Sequence, residues 1–319
     1  MSDQLPLDAP EARTWAVDGP TLLEDVPEAT YHAGGVRTPG PQTSQSALKK
    51  LIPPSTPAEF QWSLLHPEAP RRAFDVGTAA HTLVLGRGAE FVACPEDHLS
   101  TNRQMTTNKA KDWAAVQREL GRTPLHPDDY EAVHRMAESI LNHPRAAELV
   151  TDPDRLPEAS AFCEITPGLW LRARFDLLGG GLVDFKTAAD SHADAFARSA
   201  WTYGYHVQSV AYANSWHIVS GADPAPMTFI VVGKEPPHLV GIYTLDDQFL
   251  SAGARQFEQA LNTYIDQWER HGAPTAPDVV WDGLPSQTVT LSPPRWAARD
   301  LDAADAADVL DDLERILHS

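Results

Sequence analysis

Cysteine, basic residues and long apolar runs are what this 319-residue chain has least of, and each shortage removes a class of protein. Cys94 and Cys163 are too few for a disulfide framework, a four-cysteine zinc site or an iron–sulfur cluster, so they read as reduced thiols. No run approaches the roughly 18 apolar residues of a membrane span, and the acidic N-terminus lacks the basic and apolar regions of a signal peptide. The cytoplasm is therefore the expected compartment, with no membrane partner. Lys and Arg number 25 against 44 Asp and Glu, a formal charge of −19. Residues 1–30 and 300–319 each carry −6, which leaves −7 for the rest. A broad basic face for nucleic acid is excluded, but a local groove is not.

What is present is a core-forming composition, 42% hydrophobic, with a change of period along the chain. Residues 1–27, rich in Pro and acid, are expected to be a mobile acidic arm. Thr43 or Ser44 is placed to cap a helix carrying Ala47, Leu48, Leu51 and Ile52 until Pro53 and Pro54 stop it, and a second helix covers 57–65. Residues 75–85 read as a buried helix whose one strongly polar residue beyond the first turn is His81. Residues 100–111 are expected to form a mobile loop, and 113–120 and 128–141 amphipathic helices. Strands over 159–165, 169–178 and 182–187 predict a meander. One long helix over 193–220, strands over 227–232 and 239–244, and a helix over 247–270 follow. This order predicts an α/β or α+β domain with a mixed sheet, spanning 28–272. Residues 273–319 are expected to be a Pro-rich segment, pinned by Trp281 and Trp296, ending in an acidic helix over 301–317.

The chain is organised around 171–187, LRARFDLLGGGLVDFKT. Gly179, Gly180 and Gly181 permit the positive φ of a tight hairpin connection. With Gly180 at the centre, Asp176 opposes Asp184, Arg174 opposes Lys186 and Phe175 opposes Phe185. Alternation then puts the four charged residues on one face and both phenylalanines on the other. Such a face is ordinarily a solvated one. The apolar run Leu182, Val183 and Phe185 argues instead for a buried strand, in which Asp or Lys needs a partner or a cation. Downstream, Gln208 and Tyr212 lie four apart on one helical face.

The order GxxxH (Gly77 to His81), Asp176, Asp184-Phe185-Lys186, then Gln208-xxx-Tyr212 resembles the PD-(D/E)xK nuclease superfamily. Within it the chain is most similar to the RecB-like exonucleases, closest to the exonuclease VIII (RecE-type) domain of phage recombination systems. The segment EATYHA at 28–33, the helix SQSALKKL and the stretch GYHVQSVAY at 204–212 carry the same likeness. Phe175 stands where that family usually has Pro before the first Asp.

The resemblance implies a restriction-endonuclease-like core, a central mixed sheet flanked by helices, and a metal-dependent exonuclease acting on linear duplex DNA ends. It implies His81, Asp176, Asp184 and the Phe185 carbonyl as ligands of Mg²⁺ or Mn²⁺, the nitrogen suiting Mn²⁺ better. Lys186 would position or deprotonate the attacking water, and Gln208 and Tyr212 would hold the scissile strand or the water network. Arg174 is the candidate phosphate clamp, with Ser46 and Lys49 or Lys50 as receivers of a 5′-phosphate. Degradation from 5′ to 3′, a ring-shaped homo-oligomer and a single-strand annealing protein as partner are further expectations of the likeness. Two readings compete: another nuclease of the same superfamily, endonucleolytic or flap-processing, and a non-catalytic scaffold that binds DNA ends. No phosphate-cradling GxxxxGK[ST] is present, and no Ser sits on a nucleophile elbow.

Overall fold

A computed structural model describes residues 14–66, 72–223 and 226–292. The chain divides into two units, 1–282 and 283–319. Of the second, residues 283–292 contain neither helix nor strand. The expected pin at Trp296, the helix over 301–317 and the start of the arm lie outside the described residues.

The N-terminal part supplies β1 (Thr21–Leu23), α1 (Glu28–His32), β2 (Gln42–Ser44), α2 (Gln45–Leu48), α3 (Pro57–Leu65) and α4 (Arg72–Leu85). Next come β3 (Phe91–Ala93), α5 (Asn108–Glu119), β4 (Thr123–Leu125), α6 (Pro127–Asn142) and α7 (Pro144–Thr151). The remainder is β5 (Leu156–Thr166), β6 (Leu169–Leu178), β7 (Leu182–Ala188), α8 (Ala193–Tyr203), α9 (Tyr205–Ser220), β8 (Met227–Gly233), β9 (Val240–Thr244) and α10 (Asp247–His271). A seven-stranded mixed sheet runs β1-β5-β6-β7-β8-β9, with β2 added parallel to β6. Its β7–β8 pair is parallel and the other pairs along that path are antiparallel. The expected meander is therefore present as β5, β6 and β7.

Helices cover both faces. Val76 and Ala80 of α4 pack with Met136 and Ile140 of α6 against Val183, Phe185 and Ile230. Across the sheet, Val207 and Ala211 of α9 join Phe257 and Tyr264 of α10, Leu48 and Leu171. Burying such side chains stabilises each by about 1.5–3 kcal/mol, which fixes the helices on the sheet. Helices α9 and α10 meet at Gly253, where an added Cβ would lie 2.4 Å from the carbonyl oxygen of His206. Only a residue without a side chain allows that approach.

Three expectations are corrected and one is narrowed. Residues 15–26 are not an arm: Trp15, Val17 and Val26 are buried with Tyr31, Phe162 and Trp170, and β1 pairs with β5. Of the two expected caps Ser44 is the one used, accepting from the amide of Ala47 at 3.2 Å, while Thr43 lies within β2. Residues 100–111 are tied down: Arg103 donates to Glu96 at 2.9 and 3.1 Å, and Thr107 caps α5, which takes in 108–111. The single helix over 193–220 breaks at Gly204, whose φ of 70° is left-handed and ends α8 while α9 sets off anew.

Candidate metal centre

The hairpin keeps the expected centre, for Leu178 pairs with Leu182 and Leu177 with Val183. Pairing then stops. The edge of β6 that holds β7 at its C-terminal end holds β2 at residues 170–172, which leaves Ala173 to Asp176 between the two neighbours. In this fork the carboxylate of Asp176 takes the place of a ladder acceptor, receiving the amide of Phe185 at 2.7 Å.

Two further expectations fail here. Arg174 does not face Lys186. Its guanidinium donates to Val26 O at 2.7 Å and Ser160 Oγ at 3.0 Å, pairs with Glu158 at 3.4 Å and lies 4.2 Å from the Tyr31 ring centre. The two phenylalanines do not share a face either: Phe175 packs with Phe196 and Phe229, Phe185 with Val76 and Ile230. Phe175 and Leu177, two residues apart, enter different cores, so β6 turns over at Asp176 and regular alternation is lost there.

Two clusters meet at the fork. In the first, His81 of α4 sets Nε2 3.1 Å from Asp176 Oδ1 and Nδ1 3.3 Å from Glu158 Oε1. These three residues have ligand atoms within 4.8 Å of one another. In the second, Asp184 is 1% exposed; its Oδ1 accepts from Gln208 Nε2 at 2.6 Å and its Oδ2 pairs with the Lys186 ammonium. Beyond that pair, Oδ2 has no hydrogen-bond partner among the described residues. Tyr212 stands edge-on to Phe175, ring centres 5.4 Å apart, and its hydroxyl interacts with Gln208.

Electrostatics follow from burial and opposed charge. Burial works against a charged His81, but Asp176, Glu158 and Asp184 together outweigh it and push its pKa up to about 9. Burial likewise raises Asp176, yet His81 and Lys186 carry it below the usual carboxylate range. Asp184 goes the other way, up to about 6, because burial and the neighbouring Asp176 exceed the help of Lys186. Lys186 resists burial and is raised by Asp184 and Asp176, so it is held as an ammonium. The imidazole of His81 with the carboxylates of Glu158 and Asp176 fits a divalent cation, and Asp184, with an under-satisfied buried oxygen, is close enough to act on the charge of His81 and Asp176.

Above the fork lies a cleft of about 1080 Å³, lined by His81, Asp176, Lys186, Tyr212, Ser46 and Lys49 among others. Lys49 donates to the carbonyl of Tyr203 at 3.0 Å. Lys50 is not in the cleft; it reaches Ser63 of α3 at 3.2 Å. Glu158 is the residue that sequence reasoning missed. It stands in register opposite Asp176, between the pairs Pro157–Leu177 and Ala159–Phe175, with a φ of 58° that is strained for a residue with a side chain. Counting outward from the Pro167-Gly168 turn would set Ala159 opposite Asp176; the register shift between Glu164 and Thr166 brings Glu158 there instead.

No helix of the described residues is long and apolar enough to cross a membrane. No curated protein matches the sequence. A candidate exonuclease from Eubacterium rectale, known as a crystal structure, is similar over 80% of this chain and 91% of its own, with a TM-score of 0.52 and 13% identity. That likeness shows the fold: a mixed sheet flanked by helices, as in PDDEXK nuclease-like proteins. A family model described as a PDDEXK-like domain of unknown function (DUF3799) matches residues 44–278, the span that holds His81, Glu158, the β6–β7 fork and α9, and the chain belongs to that family.

Proposed function

We propose that this protein is a metal-dependent nuclease that hydrolyses phosphodiester bonds from the ends of linear duplex DNA. The observation that carries the reading is the convergence of His81, Glu158 and Asp176 at an open cleft, next to the half-buried Lys186 and its partner Asp184. The family description and the similarity to a candidate exonuclease support it. Mg²⁺ or Mn²⁺ held by His81, Asp176, Asp184 and the Phe185 carbonyl, with Glu158 beside them, would supply positive charge against that building on the phosphoryl oxygens.

The chain's own residues do the rest. Lys186, kept cationic by Asp184, adds fixed charge where the pentavalent phosphorus develops and orients the incoming water. Gln208 fixes the rotamer of Asp184, and Tyr212 steadies Gln208 in turn. Glu158 holds the Nδ1 side of His81, setting ring orientation. Lys49 and Ser46 offer a phosphate-binding edge, suited to a 5′-terminal phosphate and hence to 5′-to-3′ digestion that leaves a 3′ overhang. Arg174 is spent on Glu158 and the backbone of Val26, and Lys50 on Ser63, so neither takes the phosphate role. A ring-shaped oligomer and a single-strand annealing partner would suit that product.

The test is end-labelled linear duplex with Mg²⁺ or Mn²⁺. Acid-soluble label is expected from wild type, none from Asp184→Ala or Lys186→Ala, and closed circular DNA is expected to stay intact. Undiminished release by either variant would overturn the catalytic assignment, and nicking of the circle would make the enzyme an endonuclease.

A further inference from the structure

Of the aromatic rings lining the cleft, Tyr31, Phe185 and Phe196 are buried and Tyr205 and Tyr212 are half-buried, whereas Tyr203 is 57% exposed. Tyr203 ends α8, and the left-handed Gly204 behind it turns the chain into α9. Its carbonyl accepts the Lys49 ammonium at 3.0 Å, so a cation stands beside the root of this ring. Tyr205 is its one ring neighbour among the described residues, tilted by 37° with centres 5.9 Å apart, and does not lie flat on it. Trp201, two residues earlier, is 54% exposed but lies parallel to His206 at 4.9 Å, so that ring is already stacked. Tyr205 meanwhile holds its ring 4.9 Å from the Lys186 ammonium, which connects the Tyr203 lip to the chemical centre.

A planar ring with an open face, next to an ammonium that has no acid partner among the described residues, matches a nucleotide: base on the ring, phosphate on the cation. Inside a duplex both faces of a base are covered by its neighbours, so such a platform selects a base freed from pairing. Resting on the nuclease reading above, we propose that Tyr203 stacks on one unpaired nucleobase of the strand whose phosphate lies on Lys49.

Fluorescence anisotropy tests this with a labelled, 5′-phosphorylated oligothymidylate and an abasic oligonucleotide of the same length, in Ca²⁺ to hold turnover down. Wild type is expected to bind the thymidylate about tenfold more tightly. Tyr203→Ala is expected to bind both alike, and Tyr203→Trp to keep the preference, with thermal midpoints unchanged because the ring is at the surface. A wild type with no preference, or a Tyr203→Ala protein that retains it, overturns the inference. Cleavage of linear duplex is scored separately on the same wild-type protein. Intact duplex with the base preference retained defeats the nuclease reading alone.

Discussion

The two halves of the centre are balanced in different ways. Asp184 sits on β7, between β6 and β8, and is answered by a lysine that two carboxylates keep charged against the effect of burial. Asp176 and Glu158 sit where β6 has lost its neighbour and are answered by a histidine from α4. A fixed cation therefore holds the inner half and a titrating cation the outer. On the proposed function, protons and metal ions would compete at the outer half, while the inner half would keep its geometry.

The largest expected effect comes from breaking the inner half. Asp184→Ala should lower metal-dependent cleavage by about a thousandfold or more, read as initial rates on linear duplex, because it removes an anchor of both Lys186 and the cation. Arg174→Ala should strike folding instead. It leaves the partly buried Glu158 with His81 alone, frees Ser160 and the Val26 carbonyl, and should cost about 3 kcal/mol in urea unfolding. Next, Glu158→Gln should weaken Mn²⁺ binding by about 10–100-fold in calorimetry and leave the Asp184 contacts alone. An unchanged affinity would mean that the outer half ends at His81 and Asp176.

The pH dependence separates the halves more finely. The folded pKa of His81, about 9, exceeds the 6.5 of an ordinary histidine. Its ion pairs thus stabilise the metal-free protein fully below 6.5, and that stability is lost as pH rises through about 9. A cation must expel the same proton, so apparent affinity should rise by up to about tenfold per pH unit between these values and level off above them. Below about 6, Asp184 also takes up a proton and the slope should steepen. The smallest effect is expected of Lys50→Ala, less than about twofold on cleavage, since Lys50 bonds to Ser63 outside the cleft.

Much of this centre was legible where local rules apply. The glycine turn fixed the hairpin centre, helical spacing placed Gln208 and Tyr212 on one helix, and the apolar pattern around His81 placed α4 against the sheet. What was not legible depends on partners distant in sequence. Symmetric counting assumes that a ladder continues, but β6 passes from β7 to β2, and that change of neighbour sends Arg174 to Val26 and Glu158. Glu158 was hidden for a related reason, since its importance lies in a cross-strand relation that a register shift near the other turn sets. Trp15 and Val17 were obscured by the acids around them, which report solubility and not burial.

The close passage of α10 over α9 makes the centre mechanically remote-controlled. Ala at Gly253 would drive a methyl into the backbone of His206, and the lighter remedy is for α9 to slide outward. Gln208 rides two residues further along α9 and would be drawn from Asp184, so a lesion on the far helix would silence the site with all its ligands intact.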